Sequence, residues 1–225
     1  MLHDIERHEV ALKKRRHRVE THVARCYSIV PAAGRSRRMR RPKLLLPWKE
    51  STIIDHVLAA WTSSRVDAVI VVTRDDDVAL VQACRRWPVQ VVHPDREPDD
   101  MKASIQCGLR WIATRWDPRP TDRCFIAPAD LPTLTSELVD ELIQVEATAA
   151  SIVLPVRDGK TGHPALFPWP MTEEIFQLAA DQGVNHLVDS LPTNPVPVRD
   201  PLIRDIDTPY DYREAIERST HDIED

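Results

Sequence analysis

A dense group of positive charges follows the first apolar run of the sequence, and its residue types suit a phosphate ligand. Six of the ten residues from 34 to 43 are Lys or Arg, and they follow the small residues Ala32, Ala33 and Gly34. Small residues permit a tight turn whose backbone N–H groups face an anion. A solvated run of charges is the alternative interpretation. We predict that this loop binds the phosphates of a ligand.

Two acidic segments lie far along the chain from this loop. Asp130 stands between Pro128 and Pro132 at the end of a predicted strand, where a carboxylate can bind a hard cation. From the residues alone, capping of the next helix is an equally good role for Asp130. Further on, strand alternation places Asp205 and Asp207 on the same face. Thr208 and Pro209 then have the residue types of a helix start, with Asp211 completing a short capping box.

Apolar periodicity predicts the elements that must position these residues. Short β-branched runs indicate strands, and apolar residues three and four apart indicate amphipathic helices. The predicted strands are 26–31, 66–73, 88–93 and 122–128, and the predicted helices are 52–62, 75–87, 100–116 and 135–147, the last capped by Thr135. This alternation predicts an α/β fold with a mostly parallel, Rossmann-like sheet between two helical layers. Ligands of such sheets bind beyond the carboxyl ends of the strands.

The second half of the chain is less regular. We predict a small hairpin insertion formed by 151–156 and 164–168 around 158–160. A helix over 171–181, strands near 196–199 and 202–206, and a last helix from Pro209 should follow.

Charge divides the chain unevenly. Residues 1–43 contain 13 Lys or Arg against 4 Asp or Glu, and residues 44–225 contain 17 against 31, so a basic start is balanced by an acidic remainder. We predict a basic extension over 1–25, a domain over 26–219 and a tail over 220–225. The extension is interpreted as a solvated basic helix, with a nucleic-acid arm as the alternative. No aromatic residue lies among its charges, so nucleic acid is an unlikely partner.

Several protein classes are excluded by composition. The five glycines form neither GxGxxG nor the P-loop pattern, so the common dinucleotide and P-loop sites are ruled out. No apolar run is long enough to cross a membrane. The first residues lack a secretory signal, and the four cysteines have no metal or redox spacing, so we expect a cytoplasmic protein with reduced thiols.

The cationic loop resembles the signature A-A-G-x-S-x-R-M-G-x-P-K of nucleotidyltransferases related to molybdenum cofactor biosynthesis. Ala33 and Pro42 resemble the cytidylyltransferase branch rather than the guanylyl branch. Further similar segments are 44–47, 51–54, 101–109, 128–132, 162–167 and 205–209. Two residues depart from the pattern, since Arg40 and Ala129 replace glycines. If position 40 has a positive φ, arginine there costs about 1 kcal/mol of strain, and its side chain could add a phosphate contact.

The resemblance implies a three-layer α/β/α nucleotidyltransferase fold and transfer of CMP, or GMP, from an NTP to a phosphorylated acceptor such as molybdopterin. It implies catalytic roles for Arg38 at the β- and γ-phosphates and for Lys43 near the α-phosphate. Asp130 and Asp207 would bind Mg²⁺, with Asp205 as the second choice for the latter position. His163 would border the acceptor site, although a structural turn histidine is as good an interpretation. The implied nucleotide-binding residues are Ala32, Ala33, Gly34, Arg35, Ser36, Arg38, Lys43, Ser104 and Gly108, the last two on a segment that a buried helix face explains equally well.

Two alternatives in function stay open. Arg40 and Ala129 motivate a catalytically silent nucleotide-binding module in molybdoenzyme maturation, with a molybdoenzyme or its chaperone as partner. The other alternative is a nucleotidyltransferase whose acceptor is a sugar phosphate or polyol phosphate. Turnover of CTP or GTP with an acceptor distinguishes these possibilities.

Overall fold

The computed structural model describes residues 24–146, 151–198 and 205–221. Its strands are β1 (Cys26–Pro31), β2 (Pro47–Trp48), β3 (Ser51–Thr52), β4 (Ala68–Val72), β5 (Gln90–Val92), β6 (Arg123–Ile126), β7 (Ile152–Arg157), β8 (Lys160–Thr161), β9 (Ala165–Pro168) and β10 (Thr193–Pro197). Its α-helices are α1 (Ile53–Ser63), α2 (Val78–Cys84), α3 (Met101–Trp116), α4 (Ser136–Gln144), α5 (Glu174–Gln177), α6 (Asn185–Ser190) and α7 (Pro209–His221). Lys43–Leu45 and Trp169–Glu173 form 3-10 turns.

The central sheet has the strand order β10-β7-β9-β6-β1-β4-β5, and β8 pairs with β7 outside this path. β1 lies between β4 and β6 and is parallel to both, so Ile29 has Ile70 and Ile126 as its two neighbours. Only β9 runs antiparallel to its neighbours β6 and β7 along the main path. The mostly parallel α/β fold predicted from the sequence is therefore confirmed.

Apolar side chains cover both faces of this sheet. Alternation along β1 sends Tyr27 and Ile29 to one face and Val30 to the other. Helices α1, α2, α4 and α7 contribute to the apolar layer on the Val30 face, and α3, α5 and α6 contribute to the layer on the Ile29 face. This arrangement confirms the three layers. It also explains why the β1 and β4 sequences are almost continuously apolar, since both faces of these strands are buried.

Side-chain caps fix where the main helices begin. Thr52, Asp100 and Thr135 accept hydrogen bonds from the backbone N–H three residues later at the starts of α1, α3 and α4. At α7, Thr208 Oγ1 accepts from Asp211 N at 3.2 Å, and Asp211 Oδ2 accepts from Thr208 N at 2.7 Å. The predicted short capping box is thus present, and it holds the residues before α7 in a defined path.

The predicted hairpin insertion is also present. β7 and β8 are joined by Asp158 and Gly159, which have φ angles of 50° and 73°, as two-residue hairpin turns require. The chain then passes through a cis peptide bond between His163 and Pro164 into β9, which pairs with β6 and inserts between β6 and β7.

The single helix predicted over 171–181 is wrong. The chain instead forms the 3-10 turn, the short α5 and, after an extended residue at Leu178, the separate α6. Lys102 holds the loop after this break, because its ammonium donates hydrogen bonds to the carbonyl oxygens of Ala179, Ala180 and Gln182 at 2.5–3.2 Å. Carbonyls engaged in this way hold the loop in a non-helical path.

Other predicted segments lie partly outside the residues that the structure describes. The extension over 1–25 lies outside them except for residues 24 and 25, where Arg25 donates to the buried Asp122 at 3.0 Å. Most of the strand predicted near 202–206 lies outside as well, and the described Asp205 and Ile206 are not in a strand. Helix α7 runs to His221, two residues past the predicted domain boundary at 219.

Candidate active site

The cationic loop lies at the carboxyl edge of the sheet, directly after the central strand β1. Ala32 N continues the sheet with a 2.8 Å hydrogen bond to Val72 O. In the following residue, the carbonyl oxygen of Ala33 accepts a hydrogen bond from Arg74 Nη1 at 2.8 Å. Arg74 is itself held by Asp76 and Asp77. The loop therefore leaves the sheet in a path that is fixed from the neighbouring strand.

The middle of the loop is a turn with backbone strain. Met39 N and Arg40 N both donate to Ser36 O, at 3.0 and 3.1 Å, and Met39 is buried. Ser36 and Arg40 have φ angles of 48° and 51°, which are unfavourable for residues with a Cβ. The condition stated for position 40, a positive φ, is thus met. The Arg40 side chain is exposed and is not part of the cavity wall, so nothing supports the extra phosphate contact.

Two carboxylates and two cations meet beside this loop. Lys43 Nζ forms a close ion pair with Asp130 Oδ2 and lies 3.5 Å from Asp207 Oδ1. Arg38 Nη2 lies 2.9 Å from the same Asp207 oxygen. Ile206 N donates to Asp130 O at 3.3 Å, which aligns the segment before α7 with the loop after β6. The fold thus brings together four residues that are separated by up to 169 positions.

Asp130 has an unusual environment for a charged group. Its Oδ1 atom is buried and has no hydrogen-bond partner among the described residues. Burial raises the pKa of its carboxyl group, and the nearby Asp205 raises it further, although the Lys43 ammonium acts in the opposite direction. A buried acceptor without a hydrogen bond destabilises the folded state. This oxygen is therefore well suited to bind a metal cation.

The described residues contain no cluster of three or more metal-binding side chains. Asp130 and Asp207 nevertheless fit Mg²⁺, because this ion commonly uses one or two carboxylates and completes its sphere with phosphate oxygens and water. The free Asp130 oxygen is the structural observation that favours such a site. Asp205 is exposed and also lines the cavities, so its place as the second choice is retained.

A cavity of about 500 Å³ lies between the loop, the start of α3 and the carboxylates. Its wall includes all the predicted nucleotide-binding residues except one, namely Ala32, Ala33, Gly34, Arg35, Ser36, Arg38, Lys43 and Ser104. Gly108 is the exception. A Cβ atom there would lie 3.0 Å from Ile29 Cγ2, so the missing side chain lets α3 pack on β1 and does not serve the cavity.

A second, larger and more open cavity of about 1800 Å³ adjoins the first. The two share Met101, Pro128, Asp205 and Asp207 as wall residues. His163 lines only the larger cavity, and its Nδ1 atom is buried without a partner in the described part of the chain. Asp207 therefore lies where the two cavities meet, whereas Asp130 lines only the smaller one.

Three contributors to the site were not anticipated from the sequence. Arg74 fixes Ala33, Asp100 caps α3 at the cavity wall, and Glu97 binds Arg35 with a distance of 2.7 Å between Oε2 and Nη2. The Arg35 hydrogen bonds lower the pKa of the exposed Glu97 carboxyl. Arg74 lies two residues after the end of β4, which pairs with β1, and this proximity is the sequence signal that could have indicated it.

Comparison with known proteins gives a consistent result. Residues 28–196 match the family described as the MobA-like NTP transferase domain. The chain is 26% identical over 195 residues to the molybdenum cofactor cytidylyltransferase of Escherichia coli (strain K12), covering 85% of this chain and 96% of that protein. It is 28% identical over 138 residues to a probable molybdenum cofactor guanylyltransferase of Bacillus mycoides (strain KBAB4), covering 61% of this chain and 65%, slightly under two thirds, of that protein.

The fold matches a solved structure as well. The Mycobacterium tuberculosis H37Rv protein Rv0371C, solved as a complex with manganese, superimposes with a TM-score of 0.69 at 23% identity, covering 86% of this chain and 99% of that one. Within the part of the chain that the structure describes, no helix is long and apolar enough to span a membrane.

Proposed function

Because the chain belongs to the MobA-like NTP transferase domain family and is a nucleotidyltransferase, we propose that it transfers CMP, in preference to GMP, from an NTP to a phosphorylated, molybdopterin-like acceptor. Pyrophosphate is the second product. The observation that carries this proposal is the contact of Lys43 Nζ with both Asp130 and Asp207, of which Asp207 lines the two adjoining cavities.

The smaller cavity supports the role of an NTP site. Its volume of about 500 Å³ and its lining by the cationic loop suit a triphosphate with part of its nucleoside. Arg38 is largely exposed, with 69% of its side chain accessible, so it can turn from Asp207 to grip the β- and γ-phosphates. Ser104 lines the same cavity in the first turn of α3, and we assign it a hydrogen bond to the nucleoside.

The reaction needs positioning and charge neutralisation rather than a covalent intermediate. An acceptor phosphate oxygen attacks the α-phosphorus, the new P–O bond forms, and the bond from the α-phosphorus to the bridging oxygen of pyrophosphate breaks. Lys43 places a compact positive charge where negative charge develops at the α-phosphate, and Arg38 holds the departing pyrophosphate. Mg²⁺ held by Asp130 and Asp207 would supply further charge neutralisation.

The larger cavity supports the role of an acceptor site, since it meets the smaller one at Asp207. Basic side chains on its wall, including Lys49, Lys160 and His163, can bind a phosphorylated compound. The unpartnered Nδ1 of His163 is available for such a contact. In this proposal the donor occupies the smaller cavity and the acceptor the larger one, on either side of Asp207.

The preference for CTP rests on sequence similarity. Ala33 and Pro42 match the cytidylyl branch, and the cytidylyltransferase relative aligns over a larger share of both chains than the guanylyltransferase relative does. Calorimetric titration with the four NTPs and Mg²⁺ tests the preference. Tighter binding of GTP than of CTP would reject it.

A pyrophosphate-release assay tests the proposed reaction. The four NTPs are supplied with Mg²⁺ and with molybdopterin, a panel of sugar and polyol phosphates, or no acceptor. Release with CTP that depends on molybdopterin supports the proposal. Release only with a sugar or polyol phosphate favours the other transferase function. NTP binding with no release favours the silent module, to which the strained Arg40 gives some support.

A further inference from the structure

The candidate metal ligands are already occupied by side-chain cations. We propose that Lys43 closes the Asp130–Asp207 pair to divalent cations until a triphosphate attracts its ammonium group, so that metal and nucleotide enter together. The proposal rests on the proposed function only in taking the cleft as an NTP site. It concerns the order of binding, which the identities of nucleotide and acceptor do not determine.

The contacts show why Lys43 is the closing residue. Its Nζ pairs closely with Asp130 Oδ2 and lies 3.5 Å from Asp207 Oδ1, so one ammonium contacts both carboxylates. Only 14% of the Lys43 side chain and 10% of the Asp130 side chain are accessible, so water screens the pair weakly. Arg38 contacts Asp207 as well, but that pair is mostly exposed and is easily broken.

A divalent cation cannot share Asp130 Oδ2 and Asp207 Oδ1 with the Lys43 ammonium. Mg²⁺ must approach a carboxylate oxygen to about 2.0–2.1 Å. The Lys43 N–H groups already occupy the space beside the oxygens that they contact. The two positive ions would also repel each other in a poorly screened site. Metal binding to the free protein therefore requires Lys43 to leave a buried anionic partner.

A triphosphate provides that other anion. Lys43 has a point charge on a flexible four-carbon stem, so the side chain can turn while the backbone stays in place. The backbone is held by the 3.3 Å hydrogen bond from Lys43 N to Ser36 Oγ and by the 3-10 turn that begins at Lys43. When phosphates enter beside the loop, the ammonium exchanges one anionic partner for another, and Asp130 Oδ2 becomes free.

The other carboxylate oxygen of Asp130, Oδ1, is available to bind a metal ion. This oxygen is buried and unpartnered, whereas its neighbour Oδ2 is paired. A purely structural ion pair would leave less of the carboxylate unsatisfied, because a buried acceptor without a partner destabilises the fold. Asp130 therefore has one carboxylate oxygen paired with Lys43 and one carboxylate oxygen that can bind an incoming cation.

Manganese titration of the full chain without nucleotide tests the exchange, with free Mn²⁺ measured by electron paramagnetic resonance. The wild type should bind Mn²⁺ weakly. Lys43→Met, which keeps a side chain of similar length without the charge, should bind at least ten times more tightly. Lys43→Gln should also gain affinity, so the test does not depend on one variant folding. Lys43→Arg should stay as weak as the wild type.

A matched control separates local closure from a general change in charge. Arg37 lines the same cavity, and in the described part of the chain no ion pair joins it to Asp130 or Asp207. Arg37→Met should therefore raise Mn²⁺ affinity by less than twofold. The variant Lys43→Met/Asp130→Asn should lose the gain, which would assign the new affinity to the carboxylate site.

The outcomes distinguish this inference from the proposed function. If Lys43→Met and Lys43→Gln bind Mn²⁺ within twofold of the wild type, or if the wild type binds it equally well with and without CTP, Lys43 does not close the site. Pyrophosphate release by the wild type would then still support the transferase. Conversely, a gain in Mn²⁺ affinity in the Lys43 variants, together with no turnover of any NTP by the wild type, would support closure and overturn the proposed reaction.

Discussion

Asp55 and Asp130 are buried to nearly the same extent, with 8% and 7% of each residue exposed, but their surroundings differ. Asp55 lies on α1 and accepts hydrogen bonds from Thr52 Oγ1 at 2.6 Å, Arg86 Nη2 at 2.9 Å and Trp87 Nε1 at 3.0 Å. Burial alone would raise the pKa of Asp55, but these hydrogen bonds outweigh it and lower the pKa. This carboxylate ties α1 to the residues that follow α2.

Asp130 presents the opposite balance. One oxygen is paired with Lys43, the other has no partner among the described residues, and burial raises the pKa of the carboxyl group. A fully hydrogen-bonded buried carboxylate is part of the architecture, whereas one that is only partly satisfied has capacity for a ligand. The difference between the two aspartates therefore supports a structural role for Asp55 and the proposed functional role of Asp130.

The largest expected effect comes from removing the charge at Asp130. We predict that Asp130→Asn lowers nucleotidyl transfer at least 100-fold, about 3 kcal/mol of transition-state stabilisation, while the protein stays folded. Asp207→Asn should act similarly, and the double variant should lose little more because the pair works as a unit. Steady-state pyrophosphate release measures the effect. Asp55→Asn is the control and should keep its turnover, so a loss below tenfold at Asp130 would contradict the functional assignment.

The cations beside Asp130 should divide their roles. We predict that Lys43→Ala reduces the transfer rate more than NTP affinity, because its charge is best used at the α-phosphate. Arg38→Ala should instead weaken NTP binding, by about 10–100-fold if a charge-assisted hydrogen bond worth roughly 1.5–3 kcal/mol is lost. Calorimetry and single-turnover kinetics separate the two quantities. Arg86→Ala, beside Asp55, should change neither. Equal losses in binding with unchanged rates in the first two variants would show that the division is wrong.

The sequence was most informative where one segment determines its own structure. The periodicity of α3 and the Thr135 cap of α4 are local, and both predictions are confirmed. The meeting of Lys43 with Asp130 was also accessible, because β1 and β6 are parallel neighbours whose carboxyl ends share an edge.

Long-range side-chain contacts could not be predicted in the same way. Lys102 binds Ala179 O in the loop after α5 across 77 residues, and Glu97 binds Arg35 across 62 residues. Gly108 lies outside the wall of the smaller cavity, and only the packed structure shows that Ile29 faces it. These contacts depend on which elements become neighbours, and local residue patterns do not contain that information.

The charge of Asp55, which we expect to leave turnover unchanged, should instead contribute to the stability of the fold. We predict that Asp55→Asn lowers the free energy of unfolding by about 1–3 kcal/mol at pH 7, because buried donors lose a charged acceptor. The folded-state pKa of Asp55 is lowered. Its contribution is therefore fully present above the unfolded value of about 3.9 and is lost as the pH falls through the folded value.

Denaturant unfolding at pH 7 and pH 3 measures this contribution. The difference between wild type and Asp55→Asn should shrink at the lower pH. The exposed Asp75 provides the control, since Asp75→Asn should change stability by less than about 0.5 kcal/mol at either pH. A difference between wild type and Asp55→Asn that grows on acidification would contradict the sign of the pKa shift.

The smallest expected effect concerns backbone strain, which affects the loop facing Asp130 but not the regular helix that carries Asp55. Arg40 has a φ of 51°, a conformation that costs a residue with a Cβ about 1 kcal/mol and costs glycine almost nothing. Arg40→Gly should therefore raise the melting temperature by up to about 2–4 °C, reduced by the greater freedom of glycine in the unfolded chain. Arg37→Gly removes the same charge at a neighbouring position that lacks a positive φ, so it should lower the melting temperature. Equal shifts in the two variants would attribute the effect to charge. A rise confined to Arg40→Gly, measured by calorimetry, would show that the loop holds strain that the rest of the fold must offset.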